Sequence, residues 1–171
     1  GRRLVASCVW HMTNCSLNEV EAVLTKAARG CGADAAQAAR FGRGAVMHLC
    51  EDGPTTPIHA ALAALPKGVI VEYAASIQQG LSQATGNTVL FQTDDPLWTS
   101  YLTALPYRLT RVSQTAHAIH LDVFEKTPKP ARLQISSEDM AQWQSLAAKT
   151  YVPETAQSRL AGAGAGLTDN D

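Results

Sequence analysis

The apolar residues of this chain change their spacing once, near residue 85, and that change limits the fold more than any other feature. Before it, apolar side chains recur every three or four residues, the period of a helix. After it, Thr88-Val89-Leu90-Phe91-Gln92, residues 107–114 and residues 117–124 read as short strands, the last two joined tightly. Helices gathered early and strands gathered late predict an α+β fold and not a doubly wound parallel sheet. We expect N-terminal helices, then a small, mostly antiparallel sheet, a C-terminal helix and an extended glycine-rich tail.

Local signals place the elements. Ser16-Leu17-Asn18-Glu19 is a capping box, in which Ser16 and Glu19 satisfy each other's free backbone donors. The helix it starts carries Leu17, Val20, Val23, Leu24, Ala27 and Ala28 on one face and stops at Gly30 or Gly32. A second helix spans about Ala35 to Cys50. Its inward stripe of Ala35, Ala38, Ala39, Gly42, Val46 and Leu49 is small enough for two helix backbones to approach closely, offsetting the propensity cost of Gly42 and Gly44. Glu51-Asp52-Gly53-Pro54 is a turn. Thr56 then caps a third helix with Pro57 at its first position and Ile58, Ala61, Leu62 and Leu65 inward. Residues 69–84 fit two templates: Val69, Val71 and Tyr73 alternate, whereas Ile70, Tyr73, Ala74, Ile77 and Leu81 follow the helical period over a longer span, and we read helix. Asp94-Asp95-Pro96 starts a short helix. Arg132 to Ile135 form a fourth strand, and Ser136 or Ser137 caps a helix through Lys149 that buries Met140, Trp143, Leu146 and Ala147.

Three regions follow: an arm over 1–15, a single α+β domain over 16–150, and a tail over 151–171 docked on the domain or on a partner subunit. One domain suits 171 residues of which 46% are apolar and 17% charged. With only 6% aromatics, the core must be built from Ala, Leu, Val and Ile in closely packed helices.

Charge and cysteines exclude several functions. Fourteen basic against fifteen acidic residues leave a net charge of −1, and Arg29, Arg40, Arg43, Arg108 and Arg111 are too sparse, with no interleaved aromatics, for a nucleic-acid partner. No stretch approaches the roughly 20 apolar residues of a membrane span. Cys8, Cys15, Cys31 and Cys50 contain no C-x-x-C pair and read as reduced thiols of a cytoplasmic protein, without zinc. Val5-Ala6-Ser7-Cys8 behind Arg2-Arg3 imitates a lipoprotein cleavage box but lacks an apolar segment between, so we expect no export signal. Gly1 reads as an added residue and Met12 as a candidate start.

Candidate chemistry concentrates in the tail. Gly162-Ala163-Gly164-Ala165-Gly166 offers bare backbone amides to an anion, with Arg159 before it, yet it has neither the strand nor the helix of a dinucleotide fingerprint, and Asp169 and Asp171 would repel an anion. Those two acids could hold a hard cation with the Asn170 carbonyl, though solvated terminal carboxylates are the simpler reading. We therefore expect no resident metal or cofactor. Asp94 and Asp95 suit helix capping better than catalysis. His117 and His120 sit at odd spacing on one strand, on opposite faces, so they cannot share a metal from that strand; His120 beside Asp122 reads as a cross-strand surface pair. His48, near a helix end, reads as a dipole contact.

Ser16-Leu17-Asn18-Glu19-Val20-Glu21-Ala22 and Lys26-Ala27-Ala28-Arg29-Gly30-Cys31-Gly32, with Tyr151-Val152-Pro153, Ser158-Arg159 and the run Gly162 to Asp171, resemble the two ends of a bacterial family of uncharacterised proteins catalogued only as a domain of unknown function. Ala33-Asp34-Ala35 stands where that family has a Trp. The resemblance implies no reaction, cofactor or site residue, and it places the start of the family-like region at Met12.

These features lead us to expect a non-catalytic accessory or assembly protein, a homodimer or bound to a protein partner, that acts through a surface and its tail. The alternative is a small-molecule enzyme or binder whose ligand site lies near Arg159, Asp169 and Asp171. The capping box gives the first prediction. Ser16→Ala should lower stability by about 1 kcal/mol and Glu19→Ala by somewhat less; thermal melts that overlay the parent would show that no helix starts there.

Overall fold

A computed structural model describes residues 11–150. The fold is α+β: six helices and two small antiparallel sheets among the described residues. In chain order the elements are β1 (Met12–Ser16), α1 (Leu17–Gly30), α2 (Ala35–Cys50), α3 (Thr56–Ala64), α4 (Val69–Ser82), β2 (Thr88–Gln92), α5 (Pro96–Thr103), β3 (Tyr107–Arg111), β4 (Ala116–Phe124), β5 (Arg132–Ser136) and α6 (Ser137–Ala148).

Helix α1 starts at the capping box: Glu19 N–H donates to Ser16 Oγ at 3.2 Å, and Ser16 N–H donates to Glu19 Oε2 at 2.6 Å. It buries Val20, Leu24, Ala27 and Ala28, with Leu17 and Val23 packed half-buried at the edge. Helix α2 has the predicted bounds and a second capping box, Asp34 with Gln37, that the sequence reading missed. Its burial is broader than the expected stripe. Ala35 is exposed, while Phe41 and the whole run from Gly44 to Leu49 are buried, because α1, α4 and α5 surround the helix on different sides. Two glycines let the neighbours in. A Cβ at Gly42 would lie 3.0 Å from the Glu21 carbonyl oxygen of α1, and one at Gly44 would lie 2.5–2.9 Å from the ring of Tyr101 on α5.

Three expectations need correction. The arm does not reach Ser16: Met12–Ser16 is strand β1, paired antiparallel with β5 from Met12↔Ser136 to Ser16↔Arg132, and Cys15 is buried. The partner lies about 120 residues away, and a five-residue strand carries no periodicity of its own to reveal it. For the same reason β5 is not the fourth strand of the later sheet. The strands form a two-stranded ribbon, β1-β5, and a three-stranded sheet in the order β2-β4-β3. Finally, α3 is preceded by Thr55 as its N-cap residue, with no side-chain cap bond, and Thr56 is its first helical residue. The ambiguous segment is helical, as α4, burying Ile70, Ala74 and Ile77.

The ribbon organises the two ends of the domain. Each of its strands ends in a serine that caps the helix directly after it, Ser16 for α1 and Ser136 for α6. The helices then pack on one another, and Trp143 of α6 is fully buried in the common core. No single helix among the described residues is long and apolar enough to cross a membrane.

The close approach at Gly44 can be measured. Gly44→Ala should cost about 1–3 kcal/mol of packing strain, of which the better helix propensity of alanine returns only about 1 kcal/mol. Gly86→Ala, where a Cβ meets nothing within 4 Å, is the matched control. Urea unfolding should separate the two; equal midpoints would mean that α5 does not rest on α2.

Candidate functional site

Arg159, Asp169 and Asp171, the ligand residues expected from sequence, lie outside the described residues, as does the Gly162–Asp171 run. Within the described structure the histidines fall into structural roles. His117 is buried on the inner face of β4 opposite Phe91, where burial first, and then nearby Arg111, hold its imidazole below the usual range and so neutral. His120 is on the other face and its Nε2 meets Thr110 Oγ1 at 2.8 Å, a cross-strand bond that bypasses Asp122. His48 stands in the last turn of α2 and is buried: its Nε2 lies 2.9 Å from the Pro54 carbonyl oxygen, and its ring packs on Gly53, which ties the turn after α2. Among the described residues, no group of three His, Cys, Asp or Glu side chains is placed to hold a metal ion.

Two polar constellations remain, neither visible in the sequence. The first joins α3 to the start of α6. His59 Nε2–H donates to Asp139 Oδ1 at 2.6 Å, Ser136 Oγ–H donates to Oδ2 at 2.7 Å, and the Asp139 backbone N–H donates to Ser136 Oγ at 3.0 Å. Hydroxyl, carboxylate and imidazole are all present, but the carboxylate stands in the middle. A nucleophile needs the imidazole against the hydroxyl, as base, with the carboxylate behind it. Here Ser136 spends its hydrogen bonds on Asp139, and His59 Nδ1 is buried without a partner. Cys31 lines the same hollow as His59, yet burial raises its thiol pKa despite Lys149 nearby, the reverse of an activated nucleophile. The arrangement is a clasp. It ties α3 to the N-terminus of α6, where an acidic group is favoured by the helix dipole.

The second constellation is a cleft of about 460 Å³ between α4, β2 and α5. Asp95 shapes it. As expected it caps α5, its Oδ1 accepting from Leu97 N–H at 2.9 Å, while Thr93 Oγ1 accepts from the Asp95 N–H at 3.1 Å. Its second oxygen accepts the hydroxyl of Tyr73, which the capping motif could not foretell. Tyr73 stacks on Trp98 with ring centroids 4.6 Å apart, and Phe91 meets Trp98 edge-on at 5.7 Å. These rings form the floor, and exposed Glu72 and Asp94 stand at the mouth with Ser76 and Gln92. Burial, then the hydrogen bond to Asp95, then the charges of Asp95, Glu72 and Asp94 push the Tyr73 phenol well above its usual range, so it stays protonated. Three carboxylates thus converge, and no Lys or Arg lines the cleft. A concave wall that carries charge of one sign focuses its field outward and favours a positive group.

The clasp predicts an acid-sensitive contribution to stability. Burial raises the Asp139 carboxyl, but the bonds from Ser136 and His59 outweigh it and leave the pKa below its ordinary value of 3.8. A carboxylate lowered in the folded state stabilises above its unfolded pKa, and that contribution is lost as pH falls through the folded one. Asp139→Asn should therefore be less stable by about 1–3 kcal/mol near neutral pH, and should lose less than the parent between about pH 5 and pH 2. Parallel stability–pH curves would show that the clasp is not formed.

No protein-family model, curated protein or solved structure matches the chain.

Proposed function

We propose that this chain is a non-catalytic binding domain whose ligand is a small organic cation, seated in the cleft between α4, β2 and α5. The observation that carries this reading is the pairing of an aromatic floor, Tyr73, Trp98 and Phe91, with three carboxylates and no basic residue in the lining. An ammonium over an aromatic ring gains about 0.5–2 kcal/mol from the ring quadrupole, more as water is excluded, and the acids at the mouth supply attraction and orientation. Asp95 is already committed to Tyr73 and to the α5 cap, so Glu72 and Asp94 are the groups left to meet a ligand's charge. The proposal keeps the small-molecule alternative of the sequence reading but moves its site from the tail to this cleft. It keeps the non-catalytic character too, because the two hydroxyl–carboxylate pairs serve as cap and clasp.

Titration of the full chain with choline and with phenethylammonium, followed by Trp fluorescence and calorimetry, tests it. Both cations should bind and their uncharged isosteres should not. The double substitution Glu72→Gln with Asp94→Asn should weaken binding about tenfold, equivalent to 1.4 kcal/mol, and binding should fall as salt rises. Equal binding of cation and neutral isostere, or no binding of either, would remove the proposal.

A further inference from the structure

Strand β2 is an edge of the three-stranded sheet, whose order is β2-β4-β3. Its pairing with β4 decides which of its backbone groups are left over. Leu121 N–H donates to the Asn87 carbonyl and Thr93 N–H to the Thr115 carbonyl, one bond at each end of the ladder. Residues that exchange bonds alternate along an antiparallel pair. Asn87, Val89, Phe91 and Thr93 therefore turn toward β4, and Thr88, Leu90 and Gln92 turn their N–H and C=O groups to the free edge. Among the described residues, no hydrogen bond from outside the sheet reaches those groups. The same three residues carry the exposed side chains of the strand, and Leu90 is 62% exposed. Such an edge is a template for another strand, and this one has no charge, no proline and no bulge to protect it.

We infer that the cation of the cleft is a Lys or Arg side chain of an extended peptide that adds an antiparallel strand to β2, an inference that rests on the cation reading above. The cleft is lined by Leu90 and Gln92, whose side chains lie on the exposed face of the strand, and also by Phe91 on the buried face. Strand β4 covers one side of β2, so a hollow that touches both faces passes along the free edge. Helix α4 forms the opposite wall through Glu72, Tyr73 and Ser76, and a Cβ at its Gly80 would lie 2.6 Å from the Phe91 ring. The strand from Thr88 to Gln92 is about 14 Å long, which a five-residue extended peptide matches. Directly opposite side chains share a face. A peptide residue opposite Leu90 therefore lies beside that exposed leucine, and its sequence neighbours turn to the other face, toward the rings and acids of the cleft. The pattern that fits alternates apolar and basic residues. A second copy of the chain is disfavoured by charge. Pairing two β2 strands about Leu90 would use the same backbone groups but would set two acidic clefts against each other across the seam.

The test titrates the full chain with the peptide acetyl-Lys-Val-Lys-Val-Lys-amide, followed by calorimetry. The peptide should bind more tightly than acetyl-lysine amide, and choline should displace it. In the added strand each Val N–H points at β2 and each Lys N–H points away. N-methylation of both valines should therefore weaken binding about tenfold, and N-methylation of two lysines should change it less than about twofold. Equal loss from the two methylated peptides, or a peptide that binds no better than acetyl-lysine amide, would overturn the inference; choline binding that persists in that case leaves the cation reading standing. Failure of choline and peptide alike would remove both. A dimer of the chain alone that Leu90→Lys abolishes would give the edge to a second copy and equally overturn the inference.

Discussion

Helix α2 touches α1, α4 and α5, and the distance at which it does so sets the positions of most other elements. A helix buried on nearly every side must bring its backbone close to its neighbours, or voids open between them. Protein interiors tolerate few voids larger than a water molecule. Gly42 and Gly44 permit the approach on two different faces, toward Glu21 and Thr25 of α1 and toward the Tyr101 ring of α5. The cost is a helix whose two glycines lower its intrinsic propensity by about 1 kcal/mol each. Buried Phe41, Val46, Met47 and Leu49 on the same helix recover more than that, since full burial of a large apolar side chain yields about 1.5–3 kcal/mol.

The cleft inherits its geometry from that contact. Gly44 seats Tyr101, Tyr101 meets Tyr73 edge-on at 5.5 Å, and Tyr73 reaches Asp95 at the start of α5. Asp95 therefore serves two elements at once, capping one helix and holding the aromatic side chain of another. Its commitment leaves a protonated phenol on the floor and, at the mouth, Glu72 and Asp94 without an ion-pair partner among the described residues. The cleft is a by-product of how α4 and α5 are fastened together.

The other side of the domain is fastened by polar groups. Ser16 and Ser136 end the ribbon and begin two helices, and the His59–Asp139 bond ties α3 to the second of them. Such caps satisfy backbone donors that the first turn of a helix cannot satisfy internally. Helices α1 and α6, launched from opposite ends of the ribbon, meet where Gly30 lies against the Leu146 carbonyl.

Local chemistry was legible in the sequence wherever a backbone group needed a nearby side chain. The Ser16–Glu19 box, the Asp95 cap ahead of Pro96, the bounds of α2 and of β2, and the α+β class all follow from spacing and capping, which act within a few residues. What tertiary structure decided alone are the pairings between distant residues: β1 with β5, Tyr73 with Asp95, His59 with Asp139, Gly44 with Tyr101. A five-residue strand such as Met12–Ser16 has no periodicity strong enough to announce a partner, and a tyrosine on an amphipathic helix carries no mark of the carboxylate it will meet. Loop closure brings such groups together at an entropic cost that grows only slowly with separation. Distance along the chain therefore conceals these contacts from local reading while costing the folded protein little.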